Sequence, residues 1–349
     1  MALDLNLASS FDRLLEPSLR QSSSNEAVQL MKRARTWFDL VVLAKILQVD
    51  AGDLLGFSIK NVRRCRSLLN QPYSTALDTR LFSQVELNHL RAKISNDLLK
   101  GEESLDDIVT GARLDLSVWY DDWKRIVETS LLSGDETPSL LTNLAIQWHW
   151  ADAMTACTAF RLCGNNNMEG VTAEQRAFLQ MTQSALHLHL DTMLANPEYL
   201  DNFKYAMDFV WAKGTYCFLL MLKLSFQLED SAGQHALLAQ GQILHDRLTT
   251  VAGQGRSKIY LQLLAFTMNH HMVASHGASP AVDDYVPDEF VFDWDFPVLN
   301  LSSSMASQDA LLDQFLADDD HLLMETLDTF WAQTGDVGID SRRSGSRAA

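Results

Sequence analysis

Cysteine is scarce in this chain. The four present, Cys65, Cys157, Cys163 and Cys217, are dispersed, and no C-x-x-C occurs. That argues against a disulfide framework or a four-cysteine zinc site and favours buried free thiols. Proline and glycine are also sparse, with seven and sixteen respectively. Long uninterrupted helices are the natural reading of so little punctuation. No long apolar run exists either. The most apolar stretch, Tyr205 to Leu228, is broken by Asp208, Lys213 and Lys223, and its centre, Thr215 to Leu222, is too short to span a bilayer. The start, Met1-Ala-Leu-Asp-Leu-Asn6, lacks the basic residues and apolar run of a signal peptide, so a soluble intracellular protein is expected.

The most informative absence is of positive charge. Between Ala281 and Ser341 there are fifteen acidic residues and no Lys or Arg, so this segment carries nearly all of the formal −17. The same segment holds eight aromatic rings: Tyr285, Phe290, Phe292, Trp294, Phe296, Phe315, Phe330 and Trp331. Uniform negative charge opposes collapse, so these rings must dock on the rest of the chain or on a partner. Acidic residues interleaved with hydrophobic ones are the compositional pattern of activation segments.

Before Pro280 the hydrophobic spacing is helical throughout, and an all-α, multi-helix bundle-like body follows. Helices are expected over Asn25 to Val49, after Tyr73-Ser74-Thr75, and over Asp115 to Leu132 and Leu140 to Leu162, the last ending at Gly164-Asn165-Asn166-Asn167. Thr172 is a candidate N-cap for the next, which reaches Asn196-Pro197; further helices cover Tyr199 to Leu228, Gln234 to Val251 and Ser257 to His276. No sustained strand pattern and no fixed-period repeat is present. The chain divides into a partly ordered segment over 1–24, an all-helical domain over 25–279, a mostly irregular acidic aromatic tail over 280–341, and a disordered end over 342–349.

Within the tail, Phe290, Phe292, Trp294 and Phe296 alternate on one side of an extended run. This is either a strip laid on the helical body or a partner-binding strip. Leu312, Phe315, Leu316, Leu323, Leu327 and Phe330 could share one face of an acidic amphipathic helix, with partner binding or packing on the body as its two readings.

Searches for catalytic chemistry find little. His187-Leu-His189 has the wrong spacing for one helix face, and His270-His271 with His276 lacks the H-E-x-x-H arrangement. There is no G-x-G-x-x-G, P-loop or G-x-S-x-G motif. The aspartate runs Asp106-Asp107, Asp121-Asp122 and Asp318-Asp319-Asp320 all miss the last acid of the D-D-x-x-D pattern used by metal-dependent terpene cyclases. They read as solvated acids. Two basic clusters, Lys32, Arg33 and Arg35, and Lys60, Arg63, Arg64 and Arg66, read as solvated helix faces or salt-bridge partners, with a nuclear-import signal the weaker alternative. The overall acidity argues against direct nucleic-acid contact by the bulk surface.

Three stretches carry a resemblance. Arg35-Thr-Trp37, followed by an apolar helix to Gly56, resembles the R-x-W…G-[RK]-P stretch in the regulatory domain of fungal zinc-cluster transcription factors, although Gly56-Phe57-Ser58 stands where the family has G-R-P. Leu77 to Leu87 resembles the DxRLxxQVEL helix that comes next in many members. Tyr285 to Phe296 resembles their aromatic-acidic tail. In order, these span roughly Asn25 to Trp331. The resemblance implies a nuclear, non-enzymatic regulator whose helical body holds a position, dimerises with itself or a relative, or senses a metabolite, and whose tail recruits coactivator or mediator-type proteins. The family's DNA-binding module needs six closely spaced cysteines around two zinc ions. Four dispersed ones do not build it, so no cofactor is expected in this chain and zinc is expected only in that missing module. Either the chain is the later part of a longer factor or it acts without touching DNA. A dimerising repressor and a helical enzyme of unrecognised type are the alternatives.

Overall fold

In the computed structural model, the residues described are 7–16, 24–51, 62–102, 104–129, 136–163, 172–206, 208–228, 231–252 and 257–275. They form ten α-helices and two 3-10 segments, with no strand among them: α1 (Leu7–Leu14), α2 (Ser24–Ala51), a 3-10 segment (Val62–Asn70), α3 (Ala76–Lys100), α4 (Leu105–Thr129), α5 (Glu136–Leu162), α6 (Ala173–Leu194), α7 (Pro197–Asp201), a second 3-10 segment (Asn202–Tyr205), α8 (Asp208–Gln227), α9 (Ser231–Val251) and α10 (Ser257–Ser275). The all-α expectation holds. The tail, the Gly56-Phe57-Ser58 loop and the Gly164 to Asn167 turn lie outside the described residues.

Local chemistry sets several helix starts. Thr172 caps α6 reciprocally: its Oγ1 accepts from the Gln175 backbone N–H at 3.2 Å, and its own N–H donates to Gln175 Oε1 at 2.9 Å. At α3 the Thr75 N–H donates to Asp78 Oδ2 at 2.7 Å, and Gly101, in the left-handed region at φ 64°, closes the far end. Ser104 caps α4, its Oγ accepting from the Asp107 N–H at 3.1 Å. That helix therefore begins ten residues before the expected Asp115. Ile108, Val109, Ala112 and Leu116 extend its buried stripe down to Trp119, Trp123 and Val127.

The expected single helix over Tyr199 to Leu228 is instead three pieces. Pro197 opens α7, the 3-10 segment turns the chain, and Ala206 is extended before α8 starts. The break buries Leu200 and Phe203, and the Phe203 carbonyl accepts from the Ala206 N–H at 2.9 Å and from Trp211 Nε1 at 3.1 Å. Phe203 meets Tyr199 and Trp211 edge-on, so the bend is closed by three rings.

α5 is the central wall. It packs against α3, α4, α6 and α7. On one side α1 and α3 pack on α2, and on the other α8 packs on α6, α9 and α10. One continuous core results, running from Leu7 to Met268. The helices α8, α9 and α10 meet at buried Gly241, where an added Cβ would overlap the Phe218 ring and sit 2.7 Å from Met268 Sδ.

Candidate ligand cavity and buried polar clusters

The residues expected to bind partners, Phe290, Phe292, Trp294, Phe296, Leu312, Phe315, Leu316, Leu323, Leu327 and Phe330, all lie outside the described residues. Residues 35–51 and the stretch Leu77 to Leu87 are among the described residues, and the structure joins them. Arg35, midway along α2, donates through Nε to Asp78 Oδ1 at 2.7 Å and through Nη2 to Asp78 Oδ2 at 2.8 Å. Its Nη2 also donates to the Tyr73 carbonyl at 2.9 Å. The second stretch is tied down at its other end. Glu86 accepts from Arg66 Nε and Nη2 at 2.7 and 2.6 Å and from Trp123 Nε1 at 3.1 Å. The Arg66 guanidinium lies 5.0 Å over the Trp123 ring. Asp122, expected as a solvated acid, belongs to this network through Arg66 at 3.5 Å and Arg125 at 3.0 Å. The basic clusters thus supply salt-bridge partners, as anticipated: Arg35 to Asp78, Arg66 to Glu86, and Arg64 to Asp12.

A cavity of about 890 Å³ opens between α2, α3, α5, the α7 turn and α8. Its floor includes Arg91, Asn88, Asn143 and Trp150, all buried. Arg91 Nη1 donates to Asn88 Oδ1 at 3.0 Å. Lys213, from α8, donates to Gln147 Oε1 at 2.9 Å and sits 4.8 Å over the Trp150 ring. Asp39 stands on the wall beside the Arg35–Asp78 pair; partial desolvation and then the Asp78 charge push its carboxyl above the usual carboxylate range. Guanidinium, ammonium, amide and ring side chains thus border one cavity. Sequence reading missed this site because its walls come from five separate helical elements. Its only local signal was the presence of Arg91 and Lys213 at otherwise buried or half-buried helical positions.

The second polar cluster is sealed. His189, 1% exposed, has Nε2 3.8 Å from Cys217 Sγ, and its Nδ1 has no hydrogen-bond partner. Burial, then the Lys213 and His149 charges, hold the imidazole well below its ordinary pKa, so it is neutral. Burial raises the Cys217 thiol to about 12. Cys157 Sγ donates to Thr182 Oγ1 at 3.5 Å and is likewise pushed up by desolvation. All four cysteines are free; Cys65, Cys157 and Cys217 are buried and Cys163 is half-buried. Inert thiols of this kind are packing elements. Among the described residues no group of three His, Cys, Asp or Glu is placed to hold a metal ion, and no helix is long and apolar enough to cross a membrane.

Comparison with known proteins returns no match: no family, no curated protein and no solved structure resembles the chain closely enough to register.

Proposed function

We propose that this chain is a non-enzymatic regulator of transcription, working in the nucleus, with a helical regulatory body and an acidic tail that recruits other proteins. The observation that carries the reading is the composition of 281–341: fifteen carboxylates, eight rings and no base. The helical body supports it, because a single core runs from Leu7 to Met268 within the described residues and gives the tail a folded platform. Phe290, Phe292, Trp294 and Phe296, or the face formed by Leu312, Phe315, Leu316, Leu323, Leu327 and Phe330, bury apolar surface in a groove of a coactivator or mediator-type partner. The carboxylates keep the unbound segment in solution and speed its encounter with basic surfaces. Each contact is modest in affinity, since ordering the segment costs roughly 2–5 kcal/mol of the gross gain. The chain itself makes no nucleic-acid contact in this reading.

Fusing residues 280–341 to an unrelated DNA-binding domain and measuring reporter output tests it. Activation above the bare DNA-binding domain is expected. A silent fusion removes the activator reading and leaves the dimerising, repressing interaction protein as its replacement.

A further inference from the structure

The cavity between α2, α3, α5, the α7 turn and α8 has a lining with no net formal charge. Its bases are Arg35, Arg80, Arg91 and Lys213. Its acids are Asp39, Asp78, Glu136 and Glu198, equal in number. Arg35 is engaged by Asp78, Arg91 by Asn88 and Lys213 by Gln147. Arg80, Asp39, Glu136 and Glu198 occupy exposed positions, where water screens them. Charge therefore does not select a guest here, and the choice falls to neutral polar groups.

One such group is left over. Leu140, Asn143, Gln147 and Trp150 recur at steps of three and four residues, so they share the face of α5 that borders the cavity. Asn143 is only 6% exposed, yet its carboxamide makes no hydrogen bond to any described residue. Other amides of the lining are committed. Asn88 donates to the Gln84 carbonyl at 2.9 Å and accepts from Arg91, and Gln147 accepts from Lys213. The Asn143 amide is not sealed in the core either, as His189 Nδ1 and Thr215 Oγ1 are. A side chain this deep, neither bonded nor sealed at its polar end, turns that end to the cavity it lines. Polar groups at such depth call for a partner. A carboxamide offers an N–H donor and a carbonyl acceptor side by side, and its complement is a second amide with N–H and C=O on one edge.

We propose that this cavity binds a neutral, flat organic molecule carrying such an amide, a lactam or a primary carboxamide, which pairs with Asn143 through two hydrogen bonds. The guest N–H donates to Asn143 Oδ1, and the guest carbonyl accepts from Asn143 Nδ2. Its apolar body lies among Leu81, Leu140, Trp150 and Val210, which border the same space. A volume of about 890 Å³ is that of a site for a small organic molecule. The site rests on the helical body alone. Its failure would leave the reading of the tail untouched, and a silent tail would leave the site standing.

Three flat bicyclic probes test it: quinolin-2-one, N-methylquinolin-2-one and naphthalene-2-carboxylate, titrated calorimetrically into the full chain. Quinolin-2-one is expected to bind about tenfold or more tighter than its N-methyl analogue, which keeps the carbonyl and the rings but has no N–H to give. The carboxylate is expected to bind more weakly than quinolin-2-one. Asn143→Leu, close in volume, is expected to bring quinolin-2-one down to the level of the N-methyl compound. Circular dichroism establishes that the variant is folded, and Asn143→Ala replaces it if it is not. Equal binding of the two lactams, a carboxylate that binds as tightly as quinolin-2-one, no binding of quinolin-2-one at millimolar concentration, or an undiminished preference in a folded Asn143 variant would each overturn the proposal.

Discussion

Arg35 on α2 and Asp78 at the start of α3 meet through both carboxylate oxygens, at 2.7 and 2.8 Å, across 43 residues of chain. Asp78 also accepts from the Thr75 N–H and hydroxyl, at 2.7 and 3.1 Å, so one carboxylate both caps α3 and anchors it to α2. Its side chain is 1% exposed. Removing the guanidinium strands a buried charge, which costs more than the pair contributes on balance. Arg35→Met is expected to destabilise the fold by about 2–3 kcal/mol, and Asp78→Asn by a similar amount because it weakens the cap as well. Urea unfolding of both singles and the double variant gives the coupling. Additive losses would mean that the two residues act separately.

Gly241 is required for space, not for backbone freedom. A methyl group there would enter the Phe218 ring and crowd Met268 Sδ, forcing α9 away from α8 and α10. Gly241→Ala is expected to lower stability by about 1–3 kcal/mol, against the usual gain from replacing glycine inside a helix. Pairing it with Phe218→Leu should recover part of the loss. A stabilised single variant, read by thermal melting, would contradict the packing described at this crossing.

Lys223 is half-buried on α8, and desolvation pulls its ammonium down to about 8. Its folded pKa lies below the unfolded one, so the unfolded chain binds the extra proton. The penalty is fully present below pH 8 and is relieved as pH rises from there towards 10.5. The buried thiols act in the other sense. Their folded pKa values are raised, so the stability they contribute is present below pH 9 and lost above it. The Lys223 effect is therefore read as a difference. Lys223→Met is expected to be more stable than the parent at pH 7 by about 1–2 kcal/mol, reduced from the full shift because the ammonium is partly solvated. The gap is expected to shrink at pH 9 and nearly vanish at pH 10.5. A gap that is constant with pH would mean that the charge is not what costs stability.

Phe292, Trp294 and Phe296 changed together to Ala are expected to reduce transactivation several-fold while leaving helical content and melting temperature nearly unchanged, since a few anchor residues carry most of the binding energy at such interfaces. A loss of several kcal/mol of stability in the same variant would assign those rings to the core instead.

Hydrophobic periodicity revealed most of the helices, because Leu30, Trp37 and Val41 or Leu140, Leu144 and Cys157 recur at helical spacing on faces that are in fact buried. It failed where the deciding information is not local. α1 escaped notice because eight residues carry too few repeats, although Leu7, Phe11 and Leu14 have the right spacing and are buried. The start of α4 is marked by the Ser104–Asp107 cap, with Ile108, Val109, Ala112 and Leu116 carrying the apolar stripe back to it, and sequence reading overlooked both. The break after Asp201 was missed because a carbonyl satisfied by the Trp211 indole cannot be seen from the apolar run itself. The cavity was invisible for the same reason. Arg35, Arg91 and Lys213 lie far apart in the chain, and only the folding of α2, α3 and α8 around α5 brings them to the lining of one cavity. The tail is the opposite case, legible from charge and ring content alone.

The eight residues of α1 also decide how the protein can be handled. Phe11 covers Phe38 edge-on at 5.2 Å, and Phe38 covers Phe82 in turn at 5.2 Å. So short a helix has no stability of its own and stays folded only while seated there. A trimmed gene starting at Ser24 would remove Phe11 from Phe38 and bare the part of α2 on which α1 packs. Protein made from it would clump at concentrations where the parent stays clear, a loss easily mistaken for a missing partner.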